Sequence, residues 1–429
     1  MKRVLVITYY WPPSGGSGVQ RWVKFSKYLP AEGWQCVIYT PENPEAPSVD
    51  LTLGKDVPQD VEVIRRPIHE IYGFYRKLAG KSSGSQVNPI NHQKKSLFQK
   101  LAMAARGNLF IPDPRAGWVK PSVRFLCDYL REHPVDAVVS TGPPHSMHLI
   151  AMELARRTGV KWVADFRDPW TRMFYFKHMS LSTFARKKHE RLERRVLDSC
   201  DRVVAVSPTV RDEFSGMTST PVELITNGYD PEDYLVERRE DGFFNLTHTG
   251  LFASDGNPLT LWKILADRCA ADPLFASKLR IRLCGKTDRE ICDSVREAGL
   301  EKMLVDRGYV DHNEAVLEQV SASVLLLPLR MEPEYRATLP GKLFEYLAAD
   351  RPVLGIGQTD GAMASVMEET GAGAMCGWGD AAAMDAFIDS CWKRFLGGEA
   401  GTGAKGIGKY SRKATAAAMA ALLDKVTEE

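Results

Sequence analysis

Short runs of Val, Ile and Leu alternate with longer segments whose apolar residues recur every three to four positions, and the alternation restarts once. In the first half the runs fall at 4–8, 35–39, 61–65, 137–140, 161–164, 202–206 and 222–225. In the second half they fall at 244–249, 279–284, 303–307, 322–327, 352–356 and 372–375. The spacing in between, as at 145–156 and 184–197, is that of helices with one buried face. Near-continuous aliphatic strands separated by helices predict parallel sheets covered on both faces. A charge-rich stretch at 230–242 separates the two series. The chain therefore reads as α/β, two doubly wound parallel-sheet domains with a boundary near that stretch. Such sheets bind ligands beyond the carboxyl ends of their strands, and two of them facing each other make a cleft. The strand-to-helix loops are where chemistry is expected.

Composition narrows the function. With 429 residues, 44% hydrophobic and 26% charged, the make-up is that of an ordinary globular protein, and each half can bury its own core. The 56 basic and 54 acidic side chains leave a net charge of +2, so no overall field favours nucleic acid. Cys36, Cys127, Cys200, Cys269, Cys284, Cys292, Cys376 and Cys391 form no C-x-x-C pair and no zinc-like cluster. They read as buried thiols of a reducing compartment. The opening MKRVLVITYYWPP lacks a small-residue cleavage site, and a buried first strand accounts for it. No run approaches the ~18 apolar residues of a membrane span. The expected location is the cytoplasm.

Candidate chemistry lies in the loops. Pro12-Pro13-Ser14-Gly15-Gly16-Ser17-Gly18 leads into a helix near Val19. Its glycines permit close backbone approach, and the helix start offers N–H groups to an anion; a simple tight turn is the alternative. The text is not G-x-G-x-x-G, which disfavours NAD. In Ser140-Thr141-Gly142-Pro143-Pro144-His145-Ser146-Met147-His148, His145 sits at a helix start with His148 on the same face. A neutral imidazole there can bond a substrate hydroxyl or carbonyl, or a backbone group. In Val163-Ala164-Asp165-Phe166-Arg167-Asp168-Pro169-Trp170 two carboxylates flank an arginine. Asp168 can orient or deprotonate an acceptor hydroxyl, or an Arg–Asp pair can fix the loop. Trp170 either stacks on a sugar ring or fills a core.

The most informative stretch runs from Arg336 to Gly355, RATLPGKLFEYLAADRPVLG. Pro340 suits a first helical turn. Gly341, Lys342 and Leu343 would present N–H groups at a positive dipole end, suited to a diphosphate. Lys342 adds a formal charge, and Glu345, one turn on, offers two acceptor oxygens to a ribose. The alternative is a surface helix with a chance glutamate.

TLPGKLFEYLAADRPVLG is similar to the donor-site helix of the retaining glycosyltransferases of family four, above all the branch that makes bacterial surface polysaccharides. YYWPPSGGSGVQR, STGPPHSMH, VADFRDPW, AVSPTV and ITNGYD fall where that branch has similar text, so the resemblance spans the chain. It implies the GT-B fold, with an acceptor-side domain over 1–235, a nucleotide-sugar donor domain over 236–408, and a final helix within 409–429 crossing back onto the first domain. It implies retaining, metal-independent transfer, without a cofactor, from a nucleoside-diphosphate sugar to a glycan or lipid-linked acceptor. Among residues, it implies that Glu345 holds the ribose, that the amides of Gly341 to Leu343 hold the diphosphate, and that Gly15 and Gly16 lie near the sugar and phosphates. His145 would contact the donor sugar and Tyr309 would border the base. Joined with the reading of the residues themselves, the candidates for the chemistry are His145, Asp168 and Lys342, with Gly250 lining the donor site.

The chain departs from the family in two places. The first of two glutamates spaced by seven residues is replaced by Ala337, with Glu334 out of register. The loop 247–257 lacks the family's Arg and Lys, which leaves phosphate neutralisation to Lys342, Arg336, Lys286 and backbone amides. A sugar-nucleotide epimerase or hydrolase using Asp165 and Asp168, and a non-catalytic nucleotide-binding partner of a transferase, are the competing readings. Residues 71–112 carry Arg76, Lys77, Lys81, Lys94, Lys95, Lys100 and Arg106 with no Asp or Glu, interleaved with Phe74, Leu97, Phe98 and Leu101. That is the make-up of an interfacial helix and predicts peripheral docking on the anionic inner face of the plasma membrane. A basic loop over a core helix is the alternative.

Overall fold

The computed structural model describes residues 1–45, 49–50, 52–68, 107–173, 176 and 179–429. The basic segment expected to meet a membrane, with Lys94, Lys95, Leu97, Phe98, Lys100 and Leu101, lies outside the described residues as far as residue 106. The chain forms two compact units, one made of Met1–Thr226 with Arg412–Glu429, the other of Asn227–Ser411.

In the first unit the aliphatic runs become β1 (Lys2–Ile7), β2 (Trp34–Pro41), β3 (Glu62–Arg66), β4 (Ala137–Gly142), β5 (Lys161–Phe166), β6 (Arg202–Ala205) and β7 (Val222–Leu224). They form one parallel sheet in the order β3-β2-β1-β4-β5-β6-β7. Its helices are α1 (Ser17–Tyr28), α2 (Val119–Glu132), α3 (Ser146–Thr158), α4 (Thr183–Ser199) and α5 (Pro208–Ser215). In the second unit β8 (Phe244–Thr249), β9 (Leu279–Cys284), β10 (Leu304–Gly308), β11 (Val324–Pro328), β12 (Val353–Ile356) and β13 (Gly373–Cys376) pair in the order β10-β9-β8-β11-β12-β13, again all parallel. Its helices are α6 (Leu259–Ala271), α7 (Pro273–Lys278), α8 (Arg289–Glu297), α9 (His312–Val320), α10 (Gly341–Ala348), α11 (Ala362–Thr370) and α12 (Ala381–Leu396), and α13 (Arg412–Glu428) follows. Both sheets are doubly wound, as the sequence pattern implies.

Burial explains the composition of the strands. Val4 to Ile7 of β1 are fully buried because the strand is central and covered on both faces. The outermost strand β3 keeps Glu62, Arg65 and Arg66 in solvent. Each fully buried Val, Leu or Ile contributes about 1.5–3 kcal/mol. In both sheets the strand order reverses at one place, between β1 and β4 and between β8 and β11. The loops beyond those strand ends are the crevices where such sheets bind ligands.

α13 belongs to the first unit. Ala416, Met419, Ala420, Leu423 and Val426 share a core with Val4, Trp22 and Trp34. Asp424 accepts from Lys2 Nζ (2.8 Å) and Trp34 Nε1 (3.2 Å). The two crossings of the chain run alongside each other inside the second unit. Tyr229 bridges Ser411, and a Cβ on Gly228 would lie 2.2 Å from the Tyr410 carbonyl oxygen. All eight cysteines are free and six are buried; burial pushes the Cys36 thiol up to about 12. No described helix is long and apolar enough to cross a membrane.

Candidate functional site

In the second unit the strand ends form a ledge of bare backbone. β8, β9 and β10 run into Gly250, Gly285 and Gly308, with φ of 89°, 133° and 58°. Only glycine adopts such angles without strain. The Gly250 amide donates to the Cys284 carbonyl and the Gly285 amide to the Gly308 carbonyl, both at 2.6 Å. A Cβ on Gly285 would stand 2.3 Å from the Gly250 oxygen. Nothing but main chain fits there.

Lys342 lies across this ledge. A Cβ on Gly250 would meet its Cε at 2.3 Å and its Nζ at 2.7 Å. The ammonium makes no ion pair among the described residues. Burial lowers its pKa against the opposing pull of Glu345. The helix it opens, α10, starts after Pro340 with no side-chain cap and no acidic residue in its first turn. The amides of Gly341 and Lys342 thus stand at an uncompensated positive end. Leu343, expected as a third donor, is corrected by the structure: its N–H is spent on the Pro340 carbonyl (3.0 Å) and its side chain is in the core.

One turn along α10, Glu345 is held from behind. Its Oε2 accepts from Gln319 Nε2 at 3.0 Å, and the same nitrogen donates to Thr249 Oγ1 at 3.0 Å. Gln319 Oε1 accepts from the Tyr234 hydroxyl at 2.8 Å, which fixes the orientation of the amide. Glu345 Oε1 makes no hydrogen bond among the described residues. Tyr309, just past Gly308, is 85% exposed, and Lys286 is exposed beyond Gly285. Arg336, expected near the phosphates, lies in the short 3-10 turn Pro333–Ala337 and pairs on the surface with Asp360 (3.0 Å). Arg330, which the sequence did not single out, leaves the end of β11, pairs with Asp255 of the loop after β8 (2.8 Å) and lies 5.7 Å from the Tyr335 ring.

In the first unit the loops after β1, β4 and β5 meet. Arg167 Nη1 donates to the Gly18 carbonyl (2.6 Å), and Nη2 to that of Pro143. A Cβ on Gly18 would collide with that guanidinium at 2.3 Å. Arg167 is therefore a strut between loops. Gly15 is buried, and Gly16, with φ of 100°, precedes α1 without a side-chain cap.

Asp165 is fully engaged. Arg21 grips it through two bonds of 3.1 and 3.0 Å, Trp22 Nε1 donates at 2.8 Å and Thr141 Oγ1 at 2.9 Å, with both charged partners fully buried. Burial opposes the charge, but Arg21 and the two further donors outweigh it and hold the carboxyl below its ordinary value. The carboxylate pair expected of an epimerase or hydrolase is thus reduced to Asp168. Burial pushes Asp168 up to about 6, against the pull of Arg167.

His145 is 5% exposed, and its two ring nitrogens have no hydrogen-bond partner. Burial, then the neighbouring His148, Arg167 and His189, keep it neutral. Its ring stacks on Trp170 with centroids 4.6 Å apart. Trp170 is buried and donates to His189 Nδ1 (3.1 Å), so it is a core side chain. His148 is structural: Ser140 Oγ accepts from Trp162 Nε1 and bonds His148 Nδ1, both at 2.8 Å, while burial pushes the imidazole to about 3. The start of α3 is already occupied, since Asp113 accepts from the Ser146 amide and hydroxyl at 2.8 Å each. An anion has little to gain there. Asp113 lies 33 residues upstream, and no local pattern marked it.

Residues 15–228 match the family model of the glycosyl transferase 4-like domain. No curated protein matches the chain in sequence. Among solved structures, sucrose-phosphate synthase from Thermosynechococcus elongatus is 16% identical with a TM-score of 0.59, covering 100% of this chain and 98% of that one. HepE of Anabaena, solved with UDP, is 13% identical with a TM-score of 0.58 and the same coverage. WaaG, a glycosyltransferase involved in lipopolysaccharide biosynthesis, is 13% identical with a TM-score of 0.54, covering 99% of this chain and 98% of that one. At these identities the likeness is one of fold, and it holds over both units. Residues 15–228 make this chain a member of the glycosyl transferase 4-like family, and its two units have the fold of the GT-B glycosyltransferases.

Proposed function

We propose that the protein moves a sugar from a nucleoside-diphosphate donor to a glycan or lipid-linked acceptor, with retention. The observation that carries the donor reading is Lys342: a half-buried ammonium with no ion pair among the described residues, at an uncapped helix start over bare Gly250. Holding a desolvated charge without a partner is costly, and a bound diphosphate removes that cost. The amides of Gly341 and Lys342 receive the phosphate oxygens, and Glu345 Oε1 accepts a ribose hydroxyl. As the glycosyl bond breaks, negative charge grows on the leaving diphosphate beside Lys342. Neutral His145, whose buried ring nitrogens have no hydrogen-bond partner, contacts the donor sugar, and Asp168 takes the acceptor proton. A thermal-shift screen against nucleoside diphosphates tests the donor reading. A ligand at ~100-fold over its Kd adds about 2.7 kcal/mol of stability, and no shift with any of them overturns it.

The ribose role gives a sharper result. Glu345→Ala removes a charge-assisted hydrogen bond and is expected to weaken nucleoside-diphosphate binding by about 1.5–3 kcal/mol. Gln319→Leu leaves the carboxylate in place but unsupported, and a smaller loss is expected. In both variants calorimetry should show the gap between ribo- and 2′-deoxyribonucleotides closing. An unchanged gap in Glu345→Ala removes the glutamate from the ribose site.

Asp168 predicts a pH dependence. Its raised pKa of about 6 means that the base form is lost as pH falls through 6. kcat/KM is therefore expected to drop on the acid side, and Asp168→Asn to be slow and flat over the same range. A wild-type profile level from pH 5 to 8 excludes Asp168 as the base. A lipid-linked acceptor also requires the first unit to reach a membrane, which the basic, acid-free sequence of 71–112 supports.

A further inference from the structure

We propose that the outward face of α4 is a second docking surface for an anionic lipid bilayer. The helix buries Ala185, His189, Glu193, Val196 and Leu197. At 100° per residue, the opposite face carries Phe184, Lys187, Lys188, Arg191 and Arg195, all exposed. None of the four cations makes an ion pair among the described residues. Their neighbours on the helix are engaged: Arg194 pairs with Asp198 at 2.7 Å and Arg186 lies over the Phe176 ring. The stripe from Phe184 to Arg195 is about 16 Å long and net basic: Asp198 on the same face is paired with Arg194, and exposed Glu190 flanks the stripe at its edge, although the whole chain carries only +2.

The apolar groups at the start of this face come as a pair. Phe184 is 74% exposed, and so is Leu109, at 72%, close to the same helix end. Asn108 places Leu109 there: its Nδ2 donates to the Ser180 carbonyl (3.2 Å), and its Oδ1 accepts from the amide of the capping Ser182 (2.8 Å). Two large apolar groups beside a row of cations match a bilayer, which offers phosphate at its surface and hydrocarbon just below. A nucleic-acid backbone would satisfy the cations and leave Phe184 and Leu109 in water. The inference extends the membrane reading of 71–112 to separate residues and makes no use of the donor site.

The test is co-sedimentation of the full chain with phosphatidylcholine vesicles, with and without phosphatidylglycerol, at low and high salt. Each basic residue at an anionic surface strengthens partitioning roughly fivefold. Reversing three of them in Lys187→Glu/Lys188→Glu/Arg191→Glu is therefore expected to weaken it at least about 100-fold. Phe184→Ser should weaken the part that survives high salt by about tenfold. An unchanged thermal midpoint and unchanged nucleoside-diphosphate binding show that the variants are folded and keep the donor site apart from the result. Sedimentation of the triple variant like the wild type overturns the proposal. So does loss confined to Lys94→Glu/Lys95→Glu/Lys100→Glu, or a wild type that ignores anionic vesicles or leaves them for duplex DNA.

Discussion

Lys342→Ala is expected to cut turnover by about 10²–10³ while changing donor affinity far less. On the proposed function, main-chain amides of α10 would hold the ground-state diphosphate together with the ammonium, so its binding should survive the loss of one ligand. The transition state is different, because charge builds on the leaving oxygen and the pre-placed cation responds to that change. Burial lowers the Lys342 pKa, and a diphosphate beside it would raise it again. Steady-state kinetics with saturating donor, paired with calorimetry on the nucleoside diphosphate, separates the two effects. A variant with near-normal kcat assigns Lys342 to scaffolding of the Gly250 ledge. A variant that loses affinity and turnover in equal measure makes it a simple binding cation.

The second large effect is on stability. Asp165→Ala leaves Arg21 buried with its counter-charge gone and strands the Trp22 and Thr141 donors. Breaking a buried pair by removing one partner costs about 3–5 kcal/mol. Urea unfolding should show the first unit's transition moving to lower concentration while that of the second unit stays. A shift worth less than about 1 kcal/mol would mean that water reaches the Arg21 site. Asp168→Asn, three residues away, is expected to do the opposite. Because burial raises the Asp168 pKa, its charged form destabilises the fold as pH rises toward about 6 and above. The neutral variant should be at least as stable as the wild type at pH 8. One short motif thus holds two carboxylates that their surroundings treat oppositely, Asp165 held charged by Arg21 and Asp168 pushed by burial up to about 6.

The sheets were legible because a buried parallel strand needs an aliphatic run whatever its partners are. Each run expected from the sequence overlaps a strand, from 4–8 on β1 to 372–375 on β13. The start of α10 was legible for a similar reason: Pro340 and Gly341 act locally on the helix that they open. What the sequence left out depends on partners far along the chain. Gln319 supports Glu345 from 26 residues upstream, Asp113 caps α3 from 33 residues upstream, and Arg330 finds Asp255 across the reversal between β8 and β11.

The place of α13 bears on how the protein is made. Ala416, Met419, Leu423 and Val426 are core residues of the unit that contains β1. During synthesis that unit has its first 226 residues early and then waits for the whole of the second unit to be translated. At the ribosome's pace, making the intervening residues takes roughly 10–40 s. Throughout that time the core around Val4, Trp22 and Trp34 lacks the residues that α13 adds to it. The second unit, continuous from Asn227 to Ser411, has no such delay and can complete its core first, reversing the usual order in which the earlier-made domain folds before the later one.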